Sequence, residues 1–303
     1  MTPRLGSERT WGALALALAG VLFGTTFLVV QDAVEEASVF SFLSVRFLMG
    51  AGVLWLVARR RPAVKGEVGH GVIAGLSLLA GFVLQTEGLR YTTSATSAFL
   101  TYLLVVIVPL IQAVRTRRPP TLAVVVGVGL SVAGLVLLSG GVTSIGRGEW
   151  LTVAGAFGFA VHIIVLGEFT DRYDSVRFTM WQVLTVGVAC FVPGLFSDGG
   201  YAFDGGVWLA AAFCAVGATS IAFWCMSWGQ KVVPEAQAAL ILLLEPVSAG
   251  LLSEATGEHL GFTGLLGAAL ILAGVVASEL WGRQGTDPIQ PLPTEMPPPA
   301  ETS

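Results

Sequence analysis

The chain has 303 residues, of which 54% are hydrophobic and 12% charged, with a mean hydropathy of +0.78, a net charge of −4 and a pI near 5.4. So little charge excludes a soluble globular protein of this size, whose surface would need far more. No basic patch invites nucleic acid, and much of the acidic excess sits in loops and in the C-terminal tail.

In chain order, ten apolar stretches are long enough to cross a bilayer core of about 30 Å, which takes about 20 helical residues. They are 11–30, 38–58, 68–87, 92–113, 121–139, 149–168, 175–195, 206–228, 235–253 and 260–281. The fold class read from them is all-α, a polytopic membrane protein of ten transmembrane helices. Arg4 and Arg9 ahead of 11–30 permit a signal peptide, but the stretch is long for one and its removal would break the repeat described below. Residues 283–303, rich in Pro, Thr and Glu, read as a disordered cytoplasmic tail. The loops leave no room for a soluble domain, so recognition must take place within the membrane.

Basic residues fix the orientation, because cytoplasmic loops are enriched in them. One side receives Arg4, Arg9, Arg59, Arg60, Arg61, Lys65, Arg115, Arg117, Arg118, Arg172, Arg177, Lys231 and Arg283. The other receives only Arg90 and Arg147, and Arg46 lies inside a span. Both termini are therefore expected in the cytoplasm, with the protein in the cell membrane. The cysteines Cys190, Cys214 and Cys225 all fall within spans. Cys214 and Cys225 would lie about 16 Å apart along one helix, too far for a disulfide, and read as small core residues.

The two halves resemble each other. Phe82 aligns with Phe223, Gly88 with Gly229, Ala95 with Ala236, Ala98 with Ala239 and Leu103 with Leu244 at one offset. Gly127 aligns with Gly267, Leu130 with Leu270, Ala133 with Ala273, Gly134 with Gly274 and Val136 with Val276 at an offset smaller by one. Pro109 meets Pro246 only after a small gap. The identical Ser-Val-Arg-Phe runs at 44–47 and 175–178 are out of this register and read as coincidence. The first repeat covers 11–140 and the second 149–281, with 1–10 as a cytoplasmic N-terminus. Each repeat holds five helices, an odd number, so the second copy enters the bilayer from the opposite side. Inverted repeats mark secondary transporters. Two similar bundles in opposite orientation can exchange conformations, exposing a central site to each side in turn.

Several stretches resemble the drug/metabolite transporter superfamily, in its EamA-type branch with two five-helix repeats. They are Phe23-Gly24-Thr25-Thr26-Phe27, Arg46-Phe47, Gly88-Leu89-Arg90-Tyr91-Thr92-Thr93 and Val108-Pro109-Leu110 in the first half. In the second half they are Leu244-Glu245-Pro246-Val247, Gly257-Glu258-His259-Leu260 and the Gly267…Ala273-Gly274 pattern. The likeness spans residues 12–281. Many members carry Trp where this chain has Phe23, and Gly-Glu where it has Arg117-Arg118-Pro119-Pro120. The resemblance implies the ten-helix fold and suggests efflux, with amino acids or related solutes as cargo.

Arg46 lies about 12 Å below one end of its helix, where a fixed charge costs at least about 2.5–3.5 kcal/mol. It reads either as an anchor for a carboxylate or as a tie to backbone carbonyls or an internal acid. Glu245 immediately precedes Pro246, which removes a backbone donor. That carboxylate reads as a proton or cation carrier, or as a partner for Arg46. Gln237, Ile241, Glu245 and Ser248 share one helical face. Pro109 and Pro246 are candidate hinges. Ser94, Ser97 and Thr101 form a hydroxyl stripe, which also suits close helix packing. Gln85, Tyr102, the group Trp181, Gln182 and Thr185, and Trp224 complete the candidate substrate and coupling residues. His162 reads as a satisfied core residue. No catalytic set, metal motif or Walker loop occurs, so neither an enzyme nor a cofactor is expected. The expected partners are a small-molecule substrate, the lipid bilayer and a coupling proton or cation. Monomer and homodimer stay open. The function read here is a secondary active transporter of a small organic metabolite, with an uncoupled facilitator or exchanger, or a non-transporting scaffold or sensor, as alternatives.

Overall fold

Long apolar runs dictate helices, because a backbone in lipid must satisfy its polar groups within its own segment. The computed structural model describes residues 3–117, 119–120, 122–138, 145–233, 241–257 and 259–282. The tail 283–303, Arg118, Arg283, Glu258, and the start of the ninth stretch with Gln237 lie outside the described residues. Helices account for nearly all of what is described, and no strand occurs among these residues.

The first half contains α1 (Pro3–Glu36), α2 (Val39–Ala58), α3 (Glu67–Gly88), α4 (Ser94–Thr101), α5 (Leu104–Thr116) and α6 (Leu122–Leu138). The second contains α7 (Arg147–Phe169), α8 (Ser175–Leu195), α9 (Gly205–Cys214), a wider π-helical stretch (Ala215–Ala222), α10 (Phe223–Val232), α11 (Leu244–Thr256) and α12 (Gly261–Gly282). Seven segments among the described residues are long and apolar enough to span, and Val125–Leu138 and Gly261–Gly274 add two shorter apolar helices. The chain is thus a polytopic all-α membrane protein. Two of the predicted spans are interrupted. The fourth breaks into α4 and α5, and the eighth carries the π-helical stretch at its middle.

Local chemistry sets the helix starts. Ser38, Thr93, Asp174 and Asp204 precede α2, α4, α8 and α9, and each side chain accepts a hydrogen bond from a first-turn amide. Such caps satisfy donors that a helix start would leave bare. Gly257 ends α11 at φ +99, a left-handed conformation that glycine adopts freely.

Helix packing follows a twofold rule. Exchange each first-half helix for its second-half counterpart, and the main contacts map onto one another. The α3–α7 contact becomes α1 with α10, α3–α8 becomes α2 with the π-helical stretch, and α1–α11 becomes α7 with α4 and α5. The α2–α8, α4–α11 and α6–α12 contacts map onto themselves. The α6–α12 seam shows this atom by atom. A Cβ on Gly134 would lie 2.6 Å from the Gly267 carbonyl oxygen, and one on Gly274 would lie 2.6 Å from that of Gly127. These are the two glycine pairs that align between the halves, met crosswise. Reciprocal contact of this kind defines a twofold interface, and small residues let the backbones close in.

Charged pairs respect the alternation of basic loops. Arg61–Asp174, Arg177–Glu67 and Arg115–Glu168 each join segments assigned to the basic side. Arg147 and Arg90 both reach Glu87 on the opposite side.

Candidate functional site

Two helix breaks meet near the middle of the fold. After Thr101 the chain tightens, with the amides of Tyr102 and Leu103 donating to the carbonyls of Phe99 and Leu100, three residues back. The helix then restarts at Leu104. In the second half the corresponding restart follows Leu243, at Leu244. The breaks therefore fall before the prolines rather than at them. Residue 109 lies within the helical backbone of α5, although its side chain is outside the described residues, and Pro246 sits in the first turn of α11.

Pro246 has no N–H, so the carbonyl four residues earlier, that of Leu242, loses its helical donor. The hydroxyl of Tyr102 supplies one, donating to the Leu242 oxygen across the two halves. Tyr102 is buried, and the Glu245 carboxyl group lies against the same hydroxyl. The Glu245 carbonyl accepts from Ser248 Oγ at 3.0 Å. Gly24 of α1 packs on this turn so closely that a Cβ there would lie 2.4 Å from the Glu245 carbonyl oxygen. A side chain at position 24 would force α1 off α11.

The predicted hydroxyl stripe on α4 is a set of cross-helix bonds. Ser94 pairs with Ser253 of α11 at 2.6 Å and Ser97 with Thr152 of α7 at 3.2 Å. Thr101 accepts from Gln85 Nε2 of α3 at 2.7 Å and donates to its own Ser97 carbonyl. These buried partners satisfy one another, so α4 is held from three sides.

Arg46 is 2% exposed. Its Nε donates to Thr219 Oγ1 at 3.0 Å, in the π-helical stretch. Its guanidinium carbon sits 5.3 Å from the centre of the Phe47 ring and 5.0 Å from that of Phe82. Arg46 and Glu245 form no ion pair. Phe82 continues the aromatic centre, meeting Phe159 edge-on at 5.2 Å and its repeat mate Phe223 at 6.2 Å. Phe23 and His162 also pack on Phe223. His162 Nε2 pairs with Gln182 Oε1 at 2.8 Å, as a satisfied core histidine should.

The two tryptophans lie elsewhere. Trp181 is drawn to the helix end, where its Nε1 donates to Glu67 Oε1 at 2.7 Å. Trp224 is 42% exposed and lines an outward groove with Trp11 and Trp228. That groove runs between α1 and α10 and opens outward, so Trp224 does not line the interior. The interior aromatics are instead phenylalanines. They were not singled out from the sequence; the Phe82–Phe223 repeat pair was the signal that could have done so.

Broken helices, buried polar groups and a twofold relation between halves are features that membrane transporters share. The EamA-like transporter family model matches residues 10–140 and again 146–279, and the chain belongs to that family. A protein of Archaeoglobus fulgidus named "Uncharacterized transporter" is 30% identical over 277 residues, covering 91% of this chain and 88% of its own. A second "Uncharacterized transporter" of that organism is 26% identical over 272 residues, covering 88% and 95%. A crystal structure described only as "Crystal structure of protein" superposes with a TM-score of 0.65 at 19% identity, over 90% of this chain and 98% of its own, a likeness of fold alone.

Proposed function

We propose that this protein is a secondary active transporter of the cell membrane, with both termini cytoplasmic. It moves a small organic metabolite, most readily outward, by alternating access between two inverted five-helix bundles. The observation that carries the reading is the pair of helix breaks at Tyr102–Leu103 and Leu243, linked to each other through Tyr102, Leu242 and Glu245. Transporters build substrate and ion sites from discontinuous helices at the repeat interface. Glu245 is the coupling residue, and its partner Tyr102 belongs to the other half. A protonated Glu245 donates to the Tyr102 hydroxyl while that hydroxyl donates to the Leu242 carbonyl, whereas an ionised Glu245 competes with that carbonyl for the hydroxyl's single proton. Protonation thus changes the contact that joins the halves. The breaks that flank Pro109 and Pro246 are the hinges.

Transport in proteoliposomes tests this. Solute movement driven by a pH gradient should disappear in Glu245→Gln while exchange at equal pH persists. Full gradient-driven movement in that variant would reject the carrier role. Indifference of the native protein to the gradient would identify an uncoupled facilitator instead.

A further inference from the structure

We propose that the solute is an organic anion, a carboxylate joined to an apolar body, and that Arg46 receives its charged group. The inference rests on the transport reading above and names its substrate class.

A guanidinium inside a membrane needs compensation, because its burial there costs at least about 2.5–3.5 kcal/mol. The usual remedies are a carboxylate or several carbonyls, and Arg46 has neither. The ion pairs among the described residues lie at the ends of helices, and none includes it. Among the described residues its one hydrogen bond goes through Nε to a neutral hydroxyl, and neither terminal nitrogen meets an acceptor there. The half-buried acid of the second half, Glu245, is engaged with Tyr102. Ring faces supply about 0.5–2 kcal/mol of cation–π attraction, which does not replace a counter-ion.

What surrounds the charge describes its missing partner. Phe47 and Phe82 belong to the first half, and Phe159 and Phe223 to the second. When the halves part along the Phe82–Phe159 and Phe82–Phe223 contacts, the opening is walled by rings and holds one fixed cation. The two free terminal nitrogens form a planar fork that matches both oxygens of a carboxylate. The rings accept an apolar or aromatic body, and an amine in the same place would face like charge. Nε stays with Thr219, so the fork is oriented before the solute arrives. Thr219 lies in a π-helical stretch, a feature frequent at functional sites.

Thermal unfolding of the purified full-length protein in detergent, with matched probes at equal concentration, tests the proposal. Phenylacetate and hexanoate should raise the midpoint, and phenylacetamide, hexanamide and phenethylamine should not. Arg46→Gln should abolish the acid-specific shift. Arg46→Lys keeps the charge without the fork and should weaken acid binding about tenfold. Thr219→Ala keeps the guanidinium and should retain the preference for acids, so the contrast stays readable even if the Arg46 variants do not fold. Stabilisation by an amide or amine equal to that by its acid would overturn the proposal. So would an acid shift that survives in Arg46→Gln, or no acid shift in the native protein. Acid-specific stabilisation of a protein that moves no solute in proteoliposomes would sink the transport reading and leave this one standing. Gradient-driven transport of amines without acid stabilisation would do the reverse.

Discussion

Two seams of this molecule are related by its internal twofold, yet they are closed by different chemistry. Along α3 and α8, Gly71 and Gly75 sit under Trp181 and Thr185. At the end of that seam Glu67 is 1% exposed and accepts from Arg177 Nε at 2.9 and 3.0 Å, from Trp181 Nε1 and from the Val64 amide. Arg61 and Asp174 pair beside it. Along α2 and the π-helical stretch the glycine is on the other partner, Gly50 of α2 sitting under Thr219. At the corresponding end of α2 and α9, Val39, Phe42, Val207 and Ala211 are buried, and the buried polar residue beside them, Ser41, is uncharged. The repeat register puts Trp208, next to Val207, where the first half has Glu67. The backbone is symmetric and the locks are not. On alternating access, each seam must part in one state. Apolar surfaces slide over one another without leaving a charge bare, whereas parting the Glu67 end must resolvate a buried ion pair.

The largest effect is expected from filling the glycine seams. A Cβ at Gly75 would lie 2.8 Å from the Gln182 carbonyl, which is backbone and cannot yield, whereas at Gly50 the nearest atom is Thr219 Cγ2 at 2.7 Å. Gly75→Leu should therefore cost about 3 kcal/mol and Gly50→Leu less, read as the order of their unfolding midpoints in detergent. The next effect separates the locks themselves. Glu67→Ala strands Arg177, a largely buried cation, and should cost about 2–3 kcal/mol. Val207→Ala, at the corresponding helix end, only trims buried apolar volume and should cost about 1 kcal/mol. Equal costs would erase the asymmetry. Tyr102→Phe removes the donor to the Leu242 carbonyl and should cost about 1–2 kcal/mol, with a change in transport rate that a remote core hydroxyl would not produce.

The smallest effect is pH-dependent and lies outside the spans. Glu254 is held below its ordinary carboxyl pKa by the bond with His259 Nδ1 and by the Leu260 amide. A carboxyl whose folded pKa is depressed contributes stability above its unfolded value and loses it as pH falls through the folded one. Glu254→Gln should thus lower the midpoint slightly at neutral pH, and the difference should vanish once the pH has fallen below the folded pKa. Both side chains are solvent-accessible, so the shift is small.

The apolar helices were legible because hydropathy reports directly on the bilayer, although among the described residues seven are long enough to cross it and two are shorter, where ten spans were expected. The α6–α12 seam was legible too, since Gly127, Gly134, Gly267 and Gly274 repeat at one offset and then touch crosswise. The hydroxyl stripe on α4 was visible, and packing was the favoured reading of it. What the sequence hid is which face points inward. Lipid and protein interior are equally apolar, so Trp224 carries no mark of facing out and Phe159 none of facing in. The breaks were expected at Pro109 and Pro246, but lie upstream, because Tyr102 repairs the carbonyl that Pro246 leaves free. Glu67 looked like a loop edge, because its partners Arg177 and Trp181 lie more than a hundred residues away in the chain.

Distances between spin labels at the two seam ends test the reciprocal motion most directly. Gly69→Cys with Arg172→Cys reports the Glu67 end, and Phe40→Cys with Gly206→Cys reports the mirror-related end, all four positions being exposed. Reconstituted protein should show two populations, one distance lengthening where the other shortens, and Glu67→Gln should enrich the population whose Glu67 end is wide. A single distance at each end that neither a pH gradient nor Glu67→Gln alters, or two distances that lengthen together, would contradict alternating access between the two inverted halves.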